Sequence, residues 1–269
     1  MAEPIQSHRI SGGGFSWFWL LLASISGAYL LFIVSLLGAM ATYASPEDML
    51  KAMEKREIQF SVVLSLLTCT VTALLSLLIA VPTGYLLSRC NFWGKSIAEA
   101  ALDIPIVLPP MVIGLCLLIF FQTSVGHSIE RVIPFTYTVY GVVLAQLVIG
   151  AAFAIRTMRG TFDHLSSRPE EVAMTLGCSR GRAVWLVTLP AAWRGMMAAM
   201  SVAWARSLGE FGPILVFAGA TRMKTEVLPT TVWLELSVGN LEAAVSVSLL
   251  MVAFAMVVLV AVRWAGERI

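Results

Sequence analysis

EEVAMTLGCSRGRAVWLVTLP, residues 170–190, is the longest polar-rich interruption between two strongly apolar regions of the chain. Pro169 precedes it and fits the first turn of a helix, where its missing N–H costs nothing. Glu170 and Glu171 suit the positive end of a helix dipole. Gly177 favours a left-handed stop, so the pattern predicts a helix of about eight residues.

The predicted short helix carries a small apolar stripe made by Val172, Ala173 and Leu176. An isolated helix of this length is not stable in water, so its own chain or a partner must hold it. Ser179 is placed to cap a second helix, which leads back toward the next apolar region and ends at Pro190. An ordinary interfacial loop and an element that docks into a partner's groove both fit this pattern.

The composition of the chain indicates a membrane protein. Of its 269 residues 58% are hydrophobic and 13% are charged, whereas soluble domains carry about 25% charged residues. The net charge of +2 gives no basic signal, so we expect no nucleic-acid partner. The three histidines and four cysteines are scattered, and they predict neither a metal site nor a disulfide framework.

Six apolar segments approach the length of about 20 residues that a membrane-spanning helix needs. They predict an all-α integral membrane protein whose six transmembrane helices lie at about residues 15–41, 60–87, 104–121, 135–155, 194–217 and 243–262. The first apolar run is much longer than a secretory signal core of about 7–15 residues, so we interpret it as a retained span.

The basic residues that flank these segments predict the orientation. With the N-terminus in the cytoplasm, eleven Lys and Arg residues fall in inside segments and six in outside segments. This bias favours cytoplasmic N- and C-termini. We therefore predict one transmembrane domain over residues 1–269, with a cytoplasmic tail at about 1–14, a core at about 60–264 and a cytoplasmic loop at 156–193 that contains the short helices.

Two outside segments are predicted to be structured. Residues 46–57 form a short surface helix, for which Ser45 is a plausible N-cap. Residues 228–240 are too short to span the membrane, and Trp233 would anchor them at the outer interface.

Two features inside the predicted spans are candidates for a pathway. Pro105, Pro109 and Pro110 disturb the third span, which is either a kink for helix packing or a broken helix that lines a pathway. Arg206 and Glu210 in the fifth span have i,i+4 spacing and fit either a structural ion pair or a charged gate.

Within residues 170–190, Glu171-Val172-Ala173, Gly177, Val187 and Leu189-Pro190 resemble the signature loop of ABC importer permeases. That pattern is Glu-Ala-Ala, three residues, Gly, nine residues, an aliphatic residue, one residue and Leu-Pro, and every interval agrees. The resemblance implies a coupling helix that docks into a separate ATPase subunit, and two permease copies around one pathway. The coupling residues it implies are Glu170, Glu171, Val172, Ala173, Leu176, Gly177, Leu189 and Pro190.

Segments outside the loop resemble the molybdate/tungstate/sulfate branch of these permeases. They include residues 104–114 (IPIVLPPMVIG), 205–212 (ARSLGEFG) and 217–219 (FAG). Pro213 departs from the small residue expected in that branch. The resemblance implies a multi-pass protein of the cell membrane that translocates an oxyanion, most plainly molybdate or tungstate, with sulfate or another small solute as alternatives. The pathway candidates are Ser61, Ser65, Thr68, Pro109, Pro110, Arg206, Gly209, Glu210, Phe211 and Gly212.

The sequence contains no phosphate-binding loop. At the nearest match, Gly94-Lys95-Ser96, Arg89 stands in the place of the first glycine. We therefore expect no cofactor in this chain, with ATP and Mg²⁺ held by a partner ATPase, and a separate solute-binding protein outside. The sequence does not favour an intramembrane protease, because no histidine lies near the centre of a predicted span, where it could act as the base for a nucleophile. An ion-coupled secondary transporter would have to depend on Glu210.

Overall fold

The computed structural model describes residues 17–43 and 45–267. The predicted tail at about residues 1–14 lies outside the described residues. In chain order the described helices are α1 (Trp17–Tyr43), α2 (Pro46–Glu54), α3 (Arg56–Arg89), α4 (Lys95–Val107), α5 (Pro110–Gln122), α6 (Ser124–Glu130), α7 (Val139–His164), α8 (Arg168–Thr175), α9 (Arg180–Ala183), α10 (Leu189–Ala191), α11 (Trp193–Leu208), α12 (Leu228–Ser237) and α13 (Leu241–Glu267), and π-helical turns cover Val184–Thr188 and Ile214–Ala218.

The chain divides into two compact units, residues 1–45 and 46–269. The first contains α1, a 27-residue apolar helix with none of its described side chains buried. The second contains every other helix, including the short surface helix α2, which agrees with the helix predicted at residues 46–57.

Within the part of the chain that the structure describes, four helices (α1, α3, α7 and α13) are long and apolar enough to cross a membrane. Two bent helix pairs raise that number to as many as six if each pair is one span. The third and fifth predicted spans are therefore not continuous helices. In the third, α4 and α5 meet at 111°, because Leu108 is extended before Pro109 and neither Pro109 nor Pro110 has an N–H to donate.

The fifth predicted span, residues 194–217, is interrupted as well. Helix α11 ends at Leu208, and the chain resumes as the π-helical turn Ile214–Ala218. Before α11, a 72° bend at Ala192 separates it from the helical segment Arg180–Ala191. The prediction that Pro190 ends the second loop helix was wrong by a residue, since Pro190 occupies the first turn of α10, where a proline needs no N–H partner.

The core of the second unit lies between α3, α7 and α11. Small side chains dominate it, including Ala73, Ala80, Ala154, Ala199 and Ala203, and each of these is 2% exposed or less. Small residues let helix backbones approach closely in a membrane. A second core cluster brings Phe121 against Phe135 and Phe217, with ring centroids 5.3 and 5.2 Å apart. The long helix α3 therefore packs mainly against α7 and α11 within the second unit.

Candidate functional site

The loop between α7 and α11 folds as the sequence predicts. Helix α8 has Pro169 in its first turn and ends in a glycine motif, in which Gly177 N–H donates to Met174 O and Cys178 N–H donates to Ala173 O. Gly177 has φ +92°, a left-handed conformation that glycine adopts without the Cβ penalty of other residues. Ser179 Oγ accepts from Arg182 N–H and caps α9, as predicted.

The residues predicted to couple to an ATPase divide between two faces of this loop. Val172 and Leu176 are exposed by 57% and 81%, and Glu171 and Gly177 are exposed beside them. Ala173 and Leu189 are half-buried and Pro190 is exposed. Glu170, in contrast, points inward and is 6% exposed. The outward face of α8 is therefore a small apolar surface flanked by Glu171.

Glu170 is held by side chains from two other elements. Tyr85 Oη on α3 donates to Glu170 Oε1 at 2.5 Å, and Thr188 Oγ1 donates to Glu170 Oε2 at 3.0 Å. One turn beyond Tyr85, Arg89 Nη2 donates to the Leu165 carbonyl at 2.7 Å. Sequence reasoning missed Tyr85, Thr188 and Arg89, because no local spacing connects residues so far apart in the chain.

The two interrupted spans meet each other. A Cβ added to Gly212 would lie 2.9 Å from Met111 N and 3.1 Å from Pro110 Cβ. A Cβ on Gly114 would lie 2.8 Å from Pro213 Cα. The break after α11 therefore rests directly on the first turns of α5, at a distance that only glycine permits. Pro110 and Gly212, two of the pathway candidates, are neighbours in space.

Arg206 and Glu210 form the ion pair that their spacing predicts. Arg206 Nη2 lies 3.3 Å from Glu210 Oε2, and the two side chains are 40% and 3% exposed. The guanidinium of Arg206 also lies over the ring of Phe153, 5.1 Å from its centroid, as in a cation–π contact. Of the other candidates near this break, Gly209 is exposed and Phe211 half-buried, with the Phe211 ring 6.4 Å from that of Trp233.

The hydroxyl candidates on α3 are engaged inside the protein. Ser61, Ser65 and Thr68 are each 2% exposed or less. Ser61 and Thr68 donate to carbonyls of their own helix. Ser65 Oγ accepts from Leu228 N–H, at the start of α12, at 2.8 Å. The structure does not bring these three hydroxyls together on an open surface, and a role for them in a pathway stays a prediction.

A buried glutamine that sequence reasoning missed connects the three core helices. Gln146 on α7 is 1% exposed. Its Oε1 accepts from Thr72 Oγ1 on α3 at 3.2 Å, and its Nε2 donates to the Ser207 carbonyl on α11 at 3.1 Å. Because a buried amide needs its hydrogen bonds satisfied, this residue fixes the last turn of α11 against α3 and α7.

On the other side of the core from α8, α12 carries a buried carboxylate with three partners. Glu235 accepts from Arg222 Nη2 at 2.9 Å and from Asn240 Nδ2 at 2.7 Å, and Lys55 Nζ lies 3.6 Å away. Burial raises the pKa of Glu235, but the Arg222 hydrogen bond and the charge of Lys55 outweigh it and hold the pKa below its ordinary value. The segment predicted to lie outside, residues 228–240, thus contains a helix whose first turn is buried. Trp233 on this helix is 42% exposed.

No three His, Cys, Asp or Glu side chains among residues 17–43 and 45–267 are grouped so that they could hold a metal ion. The elements around the candidate site offer an exposed apolar surface on α8 and a close contact between α5 and the break after α11.

Long apolar helices, two interrupted spans in contact and a short exposed helix are typical of a multi-pass membrane protein. The described fold matches a crystal structure of a bacterial ABC transporter involved in the import of the acidic polysaccharide alginate, with a TM-score of 0.73 over 93% of this chain and 96% of that one. At 14% identity this similarity shows the fold alone. The chain belongs to the family of inner membrane components of binding-protein-dependent transport systems, whose family model matches residues 80–269.

Curated relatives place the chain within that family. It is 31% identical to a probable molybdenum ABC transporter permease of Haloferax volcanii, over 91% of this chain and 89% of the relative. It is 31% identical to the molybdenum transport system permease ModB of Escherichia coli, over 76% and 91% of the two chains. A molybdate/tungstate permease, WtpB of Pyrococcus abyssi, is 40% identical, but the match spans 57% of this chain and 58% of the relative. The chain is thus an inner membrane, multi-pass ABC permease similar to molybdate and tungstate permeases.

Proposed function

We propose that this chain is the membrane-spanning subunit of an ATP-driven importer that moves an oxyanion, molybdate or tungstate in the first place, by alternating access. Two copies would form the pathway, both termini would be cytoplasmic, and sulfate remains the next candidate substrate. The exposed apolar face of α8 carries this proposal, because a short helix with a fixed glycine end is suited to docking in a groove of another protein.

The proposal assigns ATP and Mg²⁺ to a cytoplasmic ATPase subunit, and substrate capture to a binding protein outside. A related transporter supports the second partner, since the alginate transporter has also been crystallised in complex with a periplasmic protein bound to an alginate pentasaccharide. ATP binding can switch access only if it favours one conformation of the permease over the other. Movement of α8 is the physical link that the proposal requires.

Reconstituted transport tests this function. The permease, its ATPase and its binding protein are placed in proteoliposomes, and uptake of molybdate is measured with tungstate and sulfate as competitors. We expect uptake to require ATP on the ATPase side and the binding protein on the other side. Uptake that follows an ion gradient without ATP would instead support the ion-coupled alternative that depends on Glu210.

Photo-crosslinking tests the docking surface. A photoreactive residue at position 176, where Leu176 is 81% exposed, is expected to crosslink to the ATPase subunit. The same residue at position 238, where Val238 is 69% exposed at the opposite end of the core, serves as the control and is expected not to. Equal crosslinking at both positions, or crosslinking at position 238 alone, would contradict the proposed orientation.

A further inference from the structure

The carboxylate of Glu170 is buried on a helix that is otherwise mostly exposed. Helix α8 has eight residues, and Glu170 is the buried one among them. A carboxylate out of water is costly unless it is paired or hydrogen-bonded. A carboxylate in the first turn would also be stabilised in water, at the positive end of the helix dipole. Its inward position therefore depends on the groups that it meets there.

Those groups come from two different elements. Tyr85 Oη and Thr188 Oγ1 each donate to a separate oxygen of Glu170, at 2.5 and 3.0 Å. Hydrogen bonds to an ionised acceptor are shorter and stronger than those between neutral groups. The carboxylate thereby joins α8 to the end of α3 and to the π-helical turn Val184–Thr188 that leads into α10.

The end of α3 is itself fixed around this point. The Tyr85 ring packs edge-to-face against Phe162 on α7, with centroids 5.6 Å apart and the ring planes at 90°. Arg89, one turn later, donates to the Leu165 carbonyl just before α8. The last turn of α3 therefore holds both the approach to α8 and α8 itself.

Helix α3 extends from this contact through the whole core. Over its 34 residues it spans about 50 Å. Further along it, Thr72 bonds to Gln146, and Ser65 accepts from the first turn of α12. A displacement of α8 that is transmitted to Tyr85 would therefore reach the interrupted span after α11 and the opposite end of the second unit.

The geometry points to Glu170 as a positioning residue, a carboxylate clamp that makes α8 move as one body with α3 and the Val184–Thr188 turn. This inference rests on the proposed function, because it assumes that α8 is the element on which the ATPase acts. It assigns Glu170 to the inside of the permease, whereas Glu171, Val172 and Leu176 form the surface that meets the partner. Tyr85 and Thr188 are the donors on which the clamp depends.

Two conservative variants test the clamp in the reconstituted complex of permease, ATPase and binding protein. Tyr85→Phe and Thr188→Val each remove one hydroxyl and keep the packing volume. We expect complexes to assemble and to hydrolyse ATP, while uptake per ATP hydrolysed falls about tenfold, as for loss of one hydrogen bond to a charged group. A purely structural role would lower the amount of complex and leave the uptake per ATP of assembled complexes unchanged, which would overturn the inference.

Matched controls remove the same groups elsewhere. Tyr140→Phe changes an exposed tyrosine on α7, and Thr157→Val removes a hydroxyl that donates only to Phe153 O of its own helix. Both are expected to keep wild-type uptake per ATP.

Glu170→Gln tests whether the two hydroxyls act through the same acceptor. If Glu170 is the common acceptor, Tyr85→Phe adds little further loss in that background, because effects that act through one group are not additive.

Hydrogen exchange on the permease alone gives a second measurement that does not depend on transport. We expect the amides of residues 172–176 to exchange about tenfold faster in Tyr85→Phe than in Tyr140→Phe, since one hydrogen bond that orders α8 is lost. Equal exchange would overturn the clamp. Failure of the wild-type complex to couple uptake to ATP would instead refute the proposed function, so the two failures are distinguishable.

Discussion

Two glutamates at the end of the second unit that lies opposite α8 show how one residue type can have opposite effects on stability. Glu235 has Arg222, Lys55 and Asn240 as partners. Glu226 is 0% exposed, and its Oε1 is without a hydrogen bond among the described residues. Burial raises the pKa of Glu226 above its ordinary value of 4.5, whereas the pKa of Glu235 is held below that value.

These pKa directions predict opposite responses to Glu→Gln. Glu235→Gln should lower the free energy of unfolding at pH 7 by about 1–3 kcal/mol, because hydrogen bonds to a charged group are lost. Glu226→Gln should leave stability unchanged or raise it slightly, because burial destabilises the charged carboxylate more than its contacts with Met223 N–H and Arg222 stabilise it. Thermal unfolding of the purified permease in detergent, with both variants side by side, measures the difference.

The pH dependence follows from the same directions. A carboxylate whose pKa is lower in the folded state stabilises the protein above its unfolded pKa, and that contribution is lost as the pH falls through the folded pKa. The contribution of Glu235 should therefore be complete above about pH 4.5 and disappear below it. Glu235→Gln should flatten the fall in melting temperature on acidification, and an unchanged slope would contradict the assignment.

Gly177 tests the conformation of the loop at a single residue. Gly177→Val forces a β-branched side chain into φ +92°, at a cost of about 1–2 kcal/mol or more. We expect the end of α8 to shift, so that ATP hydrolysis continues while uptake falls. Gly181→Val is the control, because Gly181 has no positive φ and a Cβ there meets no atom within 4 Å. Equal uptake in the two variants would count against a coupling role for α8.

At the scale of elements, the contact between the two interrupted spans is the most sensitive point. Gly212→Ala would place a Cβ 2.9 Å from Met111 N, which is backbone and cannot rotate away. We expect the break after α11 to separate from α5 and uptake to fall severalfold in complexes that still assemble, as expected for overpacking at a close helix contact. Gly160→Ala on α7, where a Cβ meets nothing within 4 Å, is the control for uptake and assembly.

Much of this element level was predictable from the sequence. The long apolar runs predicted α1, α3, α7 and α13, because a helix in lipid satisfies its backbone hydrogen bonds within itself and needs no distant partner. The glycine stop of α8 and its proline start were predictable for the same reason. In the third span the structure shows the broken helix, one of the two alternatives that Pro105, Pro109 and Pro110 left open. The apolar composition of residues 104–121 and 194–217 indicates a lipid environment but does not determine the direction of the chain, which depends on Pro109, Pro110 and the close contact at Gly212.

The side-chain partners were not predictable in the same way. Tyr85 lies 85 residues from Glu170, and Gln146 lies 61 from Ser207. Such pairs depend on how helices pack, which one sequence does not encode locally. The Arg206–Glu210 pair was predictable because both residues lie on one helix face, at i,i+4 spacing. Distance along the chain therefore decided which parts of the candidate site could be foreseen.

For the whole molecule, the property to test is whether the Arg206–Glu210 ion pair serves assembly or transport. Arg206 keeps 40% of its side chain exposed while Glu210 is 3% exposed, so the cation is the accessible member of the pair. We expect the double variant Arg206→Met/Glu210→Leu to assemble, because neither charge is left unpaired, and to lose uptake. Glu210→Leu alone, which leaves Arg206 without its partner, should assemble poorly. Uptake at the wild-type rate in the double variant would show that the pair is purely structural.

The hydrogen bond from Leu228 N–H to Ser65 Oγ has a consequence for how the protein is made. The donor and acceptor are 163 residues apart, and the first turn of α12 leaves its N–H groups without partners of its own. While the chain is still emerging from the ribosome, α3 enters the membrane long before residue 228 is synthesised. The acceptor for α12, Ser65 Oγ, is therefore in the membrane before its donor is made. We expect the last helices of the chain to pack against helices that have already been inserted.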